Sequence, residues 1–186
     1  MLFKRKSAKV AAYEALIKYN VTTLPVPTRY SGGIYILSMQ LLADFYGESV
    51  EKYYNTFGYR GFVCHDTERD TYGIFINEED SESLQRWSIS VAIGIIENEE
   101  IAEFRGISIS AASGYINDFT YVYTCPDCVL RHNQIISAEE IIKVCGVPFN
   151  KAREKSKRLR LLLKPEKGKI ATIEKVIRNL IILTRD

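Results

Sequence analysis

Arg86-Trp-Ser-Ile-Ser-Val-Ala-Ile-Gly-Ile-Ile96 is the stretch of this 186-residue chain that decides the fold. Apolar residues recur here in steps of three, four and four, at Leu84, Trp87, Val91 and Ile95. This spacing places them on one face of a helix. Burial of each such side chain is worth about 1.5–3 kcal/mol. The pattern therefore predicts an α-helix whose apolar face packs into a core.

The same stretch has the pattern of a zinc-peptidase helix without its zinc ligands. A helix of the H-E-x-x-H kind needs two histidines four residues apart, so that both reach one metal, and a Glu as general base. The stretch resembles the helix of the ImmA/IrrE peptidases, which usually reads Arg-Phe-Thr-Ile-Ala-His-Glu-Leu-Gly-His-Ile. The identities are Arg86, Ile89, Gly94 and Ile96. Val91, Ala92 and Ile95 stand at the positions of His, Glu and His.

The resemblance continues where that family has a third zinc ligand, a Glu in a segment similar to Glu-Ala-Asn-x-Phe-Ala and followed by Leu-Leu-Cys-Pro. The identities here are Asn117, Phe119, Cys125 and Pro126, and Tyr115 occupies the ligand position. Aliphatic side chains have no lone pairs, and a neutral phenol binds zinc poorly. The resemblance therefore implies a pseudo-peptidase with no catalytic residue, no metal ligand and no cofactor.

The resemblance also implies the architecture. We expect an α+β fold with a zincin-like ImmA/IrrE core, in which helices pack on a small β-sheet, followed by a C-terminal helical extension. We place the pseudo-peptidase domain at residues 1–134. Residues 135–186 would hold a helix-turn-helix-like pair and a final amphipathic helix, whose apolar face would dock on the core or form an oligomer contact.

Local patterns predict several elements around the central helix. Residues 7–19 read as an opening helix, Ile34–Leu37 as a short strand and Val50–Phe57 as a candidate helix end. Gly61–Cys64 and Thr71–Asn77 read as the two strands of a hairpin. The acidic run Glu78, Glu79, Asp80 and Glu82 is expected in the first turn of the central helix, where its charge favours the helix dipole.

Composition favours a protein of the cytoplasm. Hydrophobic residues make up 46% of the chain and charged residues 26%. The apolar run Val91–Ile96 is too short for a membrane span, and charges interrupt any signal-peptide core near the N-terminus. We therefore expect a soluble, cytoplasmic protein with reduced cysteines and no membrane partner.

The four cysteines allow a weak zinc alternative. Cys125-Pro-Asp-Cys128 has the spacing of a zinc-ribbon knuckle. Cys64, His65, His132 and Cys145 could complete a tetrahedral site. Because one C-x-x-C without a matching pair is a weak indication, ordinary buried thiols are the favoured interpretation.

The C-terminal third is basic. Ser137-Ala-Glu-Glu140 predicts a capping box, Gly146 a helix end, and the segment from Asn150 to about Leu163 a second helix. Residues 151–169 hold nine basic and two acidic residues, a local charge of +7 in a chain of net charge +2. Its candidate partner surface is Lys151, Arg153, Lys155, Lys157, Arg158 and Arg160. The surface could bind a protein, bind nucleic acid, or only be solvated.

The function that follows is a regulator and not an enzyme. Active ImmA/IrrE relatives cleave helix-turn-helix repressors, so the resemblance implies a surface that recognises a regulatory protein. The leading hypothesis is a phage- or mobile-element-encoded protein that binds a repressor or a host defence component stoichiometrically. Two alternatives stay open: a zinc peptidase with non-standard ligands that cleaves such a repressor, and a DNA-binding regulator that uses residues 137–169.

Overall fold

The computed structural model describes residues 6–98, 106–161 and 168–183, which form an α+β fold, as predicted. The helices are α1 (Ala8–Lys18), α2 (Met39–Tyr46), α3 (Val50–Phe57), α4 (Glu82–Asn98), α5 (Gly114–Thr124), α6 (Asp127–His132), α7 (Ala138–Cys145), α8 (Phe149–Leu161) and α9 (Lys169–Leu180). The strands are β1 (Ile34–Ser38), β2 (Phe62–Asp66), β3 (Thr71–Ile76) and β4 (Ile107–Ser108). None of the helices within the described ranges combines the length and the apolar character that crossing a membrane requires.

The chain divides into two compact units. The sheet unit comprises residues 27–117, and the helical unit comprises residues 1–26 together with residues 118–186. This division differs from the predicted boundary between residues 134 and 135. Helix α1 groups with the C-terminal helices because it packs against α9, and α6 also packs against α9. The long-range docking of a helix cannot be read from local pattern, which is why the sequence placed α1 with the peptidase-like segment.

The sheet of the sheet unit is mixed and four-stranded, in the order β1-β3-β2-β4. Strands β2 and β3 are antiparallel neighbours, so the predicted hairpin is confirmed. Strand β1 runs parallel to β3, and β4 pairs with β2. Within the described residues β1 has a strand on one side only, which makes it an edge of the sheet.

Both faces of this sheet are covered by helices. Phe62 lies opposite Phe75, which lies opposite Leu37, so these three share one face. Phe62 stacks on Phe57 of α3 and on Phe75, with ring centroids 4.1 Å and 4.8 Å apart. The other face carries Val63 and Ile74, both fully buried, and α4 contacts β2 and β3. Because successive side chains of a strand point to opposite faces, the sheet carries a mainly aromatic layer on one face and an aliphatic layer on the other.

Helix starts follow the predicted capping chemistry in the helical unit. The Ser137 hydroxyl accepts from the Glu140 amide, and the Glu140 carboxylate accepts from the Ser137 amide, so the predicted capping box is confirmed. Gly146 ends α7 in the left-handed conformation, as predicted. The second helix begins at Phe149, and its predicted end near Leu163 lies outside the described residues.

Two expected charge positions need correction. Helix α4 begins at Glu82, so the other three acids of the run precede its first turn. The spacing of Glu174 and Arg178 on α9 also predicts an i, i+4 ion pair, whereas the structure places Glu174 Oε1 2.9 Å from Lys9 Nζ of α1. A cation on a packed neighbouring helix offers a less exposed partner than an intrahelical one, and this pairing is invisible to helical spacing.

Gly61 is the glycine on which the hairpin depends. Its φ is +106°, and a Cβ there would lie 1.9 Å from the Phe75 carbonyl oxygen. Gly32 has a similar φ of +80° but nothing within 4 Å of its position for a Cβ. An alanine at either position would therefore adopt a strained backbone conformation, and only at residue 61 would its Cβ also clash with a neighbouring atom.

We expect Gly61→Ala to lower the free energy of unfolding by more than about 3 kcal/mol, since it adds a backbone clash to the left-handed strain. Gly32→Ala is the control and should cost about 1–2 kcal/mol from strain alone. Chemical denaturation of both variants measures the difference. Equal losses of stability in the two variants would show that the structure relieves the contact between the new Cβ and the Phe75 carbonyl at no energetic cost.

Candidate functional site

The face of α4 that resembles a metal site is part of the core. Val91 is 3% exposed, and Ala92 and Ile95 are fully buried. Trp87, one turn earlier on the same face, is also buried. Arg86 is mostly buried, with its side chain only 11% exposed, and its guanidinium pairs with the exposed Glu82. Val91, Ala92 and Ile95 therefore provide packing at the positions where the resemblance places ligands and base, and Trp87 extends that packing by one turn.

Tyr115 lies beside this face. Its hydroxyl donates to Asn98 Oδ1 at 3.2 Å, and Asn98 Nδ2 donates to the Gly94 carbonyl at 2.8 Å. Asn98 is seven residues after Val91 and three after Ile95, so it continues the same helical face. The structure thus brings the start of α5 to the end of α4 and joins them by a hydrogen bond. Asn98 was not predicted as a site residue from the sequence, although it is a polar residue at the end of an apolar helical stripe, and that position was the available indication.

The cysteines of the helical unit are buried free thiols. Cys125 and Cys145 are buried and hydrogen-bond each other. Cys128 is hydrogen-bonded to Tyr13, and burial raises its pKa to about 11, so it stays a neutral thiol. No group of three or more His, Cys, Asp or Glu side chains that could hold a metal ion is found within the described ranges. His65, offered as a further ligand, instead contacts Asp70 and stacks on Tyr72.

A buried charge network that sequence reasoning missed lies in the helical unit. Lys155 is 2% exposed, and its ammonium donates to Asp127 Oδ1 at 2.5 Å and to the Tyr121 carbonyl at 3.3 Å. Lys9 adds a second cation 3.6 Å from Asp127 Oδ2. Burial opposes ionisation of Asp127, but Lys155 and Lys9 outweigh it and lower the pKa of this carboxyl. The network borders a cavity of about 370 Å³.

This network corrects part of the predicted basic surface. Lys155 is not on the surface, because it follows Ala152 and precedes Leu159 on the buried side of α8. Arg158 is half-buried and pairs with Asp118 at 2.7 Å, stacking on Tyr121. Lys151 is half-buried near the same ring. The three fully exposed members of the predicted set are Arg153, Lys157 and Arg160.

The sheet unit carries an open apolar groove of about 320 Å³. It lies between β1 and α2, on the sheet face that carries Leu37 and Phe75. Its lining is Leu37, Ser38, Leu41, Leu42, Phe45, Tyr46 and Phe75. Three of these large apolar side chains face solvent: Leu41 is 59%, Phe45 80% and Tyr46 63% exposed. Large exposed apolar patches mark sites of protein contact.

No protein-family model matches the sequence, and no curated protein or solved structure matches it either.

We expect Asp127→Asn to lower the free energy of unfolding at neutral pH by about 3–5 kcal/mol, because it leaves the Lys155 ammonium buried and uncompensated. Asp118→Asn is the control, since it breaks the partly exposed pair with Arg158 and should cost about 0–1 kcal/mol. Both are measured by chemical denaturation.

The same pair has a defined pH dependence. The folded-state pKa of Asp127 is lowered, so its contribution is complete above the unfolded value of about 3.9 and is lost as pH falls through the folded value. The stability gap between the natural chain and Asp127→Asn should therefore shrink as pH falls below about 4. A gap that is constant down to strongly acidic pH would contradict an ionised Asp127.

Proposed function

We propose that the chain is a non-catalytic regulator of the ImmA/IrrE type that binds a partner protein stoichiometrically. The observation that carries the proposal is the apolar groove between β1 and α2. The side chains of Leu41, Phe45 and Tyr46 are exposed to water. A partner that covered them would bury their apolar surface, which would stabilise the complex. A surface of this kind is an anchor for protein contact, with aromatic side chains supplying most of the binding energy.

The edge strand supports an extended segment of the partner as the occupant of the groove. Among the described residues no strand pairs with the outer side of β1, and Leu37 of that strand lines the groove. An extended segment added beside an edge strand gains backbone hydrogen bonds, while alternate side chains enter neighbouring pockets. The chemistry that fits is a strand-forming segment with an apolar residue directed at Phe45 and Tyr46.

The packing of α4 supports binding without cleavage. Val91, Ala92 and Ile95 hold the sheet unit together through burial, and none of them can coordinate a metal or accept a proton. The residues that the resemblance assigns to chemistry thus have another use. A repressor or a host defence component, in a phage or mobile-element setting, is the class of partner we propose, since the resemblance implies a repressor-recognising surface.

The binding proposal is tested with a partner purified from the source cells by affinity capture and then titrated by calorimetry. Phe45→Ser should weaken its binding about 10- to 100-fold, because a buried Phe is worth about 1.5–3 kcal/mol. Ile182→Ser, at a comparably exposed apolar residue of the helical unit, is the matched control. The natural chain should saturate the partner at one to one.

Two results would overturn this proposal. One is equal affinity of the Phe45 and Ile182 variants, which would place the interface elsewhere. The other is cleavage of the partner by substoichiometric amounts of the chain, detected by intact mass.

The peptidase-like geometry is tested by restoring the ligands. We expect the triple variant Val91→His, Ile95→His, Tyr115→Glu to bind one zinc ion, since residues 91 and 95 lie one turn apart and Tyr115 contacts that helix face. Zinc should raise its melting temperature, because binding is linked to folding. The control moves one histidine to the next helical face: Val91→His, Ile93→His, Tyr115→Glu.

The melting temperature of the control should not respond to zinc. Equal responses of the two triple variants would remove the geometric support for the ImmA/IrrE resemblance. A failure here leaves the groove proposal standing, since the groove involves none of the substituted residues.

A further inference from the structure

Helices α7 and α8 form a compact helix-turn-helix. Helix α7 ends at Gly146, and three residues later α8 begins at Phe149. Buried side chains hold the pair together: Ile141, Cys145, Val147, Ala152 and Leu159. In such a pair the second helix is the one that enters the major groove of DNA, with its first turn directed at the base edges. In this pair α8 is the second helix.

The basic residues of α8 separate into an inward and an outward set. The inward set is neutralised: Lys155 pairs with Asp127, and Arg158 pairs with Asp118 and Glu154. The outward set is Arg153, Lys157 and Arg160, all exposed. The described part of the chain gives none of these three a carboxylate within ion-pair distance.

The outward set forms one stripe. Steps of four and three residues keep Arg153, Lys157 and Arg160 on one helical face, spread over about 10 Å of the axis. Phe149 lies on the same face in the first turn and is 60% exposed. Asn150 lies beside it, also exposed. The face therefore carries an aromatic and a polar residue in its first turn, followed by three cations that have no carboxylate partner among the residues that the structure describes.

We propose that this face of α8 binds duplex DNA, with Arg153, Lys157 and Arg160 contacting phosphates and the first turn lying at the base edges. The helix is about 20 Å long, and the major groove, about 12 Å wide, admits a helix. The charge distribution favours a polyanion of regular spacing over an acidic protein patch, because the cations lie along one line and follow a helix-turn-helix. This activity lies in the helical unit and does not rest on the groove of the sheet unit.

Fluorescence anisotropy of the full chain with a labelled mixed-sequence duplex of about 30 base pairs tests the proposal, with salt varied from about 50 to about 200 mM. Neutralisation of three phosphates predicts an affinity that falls about 40-fold over this range. Arg153→Ala, Lys157→Ala, Arg160→Ala should bind at least about tenfold more weakly and lose a log–log salt slope of about 0.9 for each contact.

The matched control removes three cations elsewhere: Lys6→Ala, Lys52→Ala, Arg69→Ala. Their side chains are 62%, 61% and 81% exposed, so both triple variants change the net charge equally at the surface. The control should keep the affinity and the salt slope. The charge-preserving variant Arg153→Lys, Lys157→Arg, Arg160→Lys should also keep the salt slope.

Three outcomes would overturn the proposal. Equal losses of affinity in the two alanine variants would show that net charge alone accounts for the binding. A salt slope unchanged in the stripe variant would exclude phosphate contacts by these residues. Competition by polyglutamate as effective as that by unlabelled duplex would point to an acidic protein as the partner. Circular dichroism shows whether each variant is folded. If the triple variant is unfolded, Arg153→Ala alone takes its place, with an expected loss of about 0.9 in the log–log salt slope.

Discussion

The sheet unit depends on the burial of α4, which contacts β2 and β3 and is buried on every side between Trp87 and Ile95. One of its faces is the face that resembles a metal site. Val91, Ala92 and Ile95 are at most 3% exposed, and Trp87 precedes them on that face. A helix face can support metal-dependent hydrolysis only if polar ligands line it and an opening admits substrate. A face closed by aliphatic side chains does neither, but it contributes about 1.5–3 kcal/mol for each large residue. The choice between chemistry and packing is therefore made at three side chains.

The helical unit depends on a different interaction, the buried pair of Lys155 and Asp127. Such a pair is a weak source of net stability, because desolvation of both charges offsets their attraction. It fixes geometry instead: Lys155 must face inward, which sets the rotation of α8 about its axis. The opposite side of the helix, with Arg153, Lys157 and Arg160, is turned outward as a result. One internal pair thus decides which cations are available to a partner.

Local pattern predicted most elements, and long-range pairing limited the rest. The spacing of Trp87, Val91 and Ile95 predicted the buried helix, and Ser137 with Glu140 predicted a cap, because both depend on neighbours within two turns. The contact of Lys9 with Glu174 and the pair of Lys155 with Asp127 join residues far apart in the chain. A basic run looks the same in sequence whether a lysine in it is buried or solvated. The groove was missed for a similar reason, since the exposure of Phe45 depends on how α2 packs in the folded chain and not on local pattern.

Loss of a metal site by apolar substitution is difficult to reverse one residue at a time. A single histidine placed at residue 91 would be a buried polar group without a partner, and such groups cost about 1–3 kcal/mol. Only the complete ligand set with its ion offsets that cost. Each intermediate is less stable than the packed helix, so selection for folding alone retains the aliphatic face. Under the proposed function, the exposed residues of the groove at Phe45 are then free to diverge, because they do not contribute to the core.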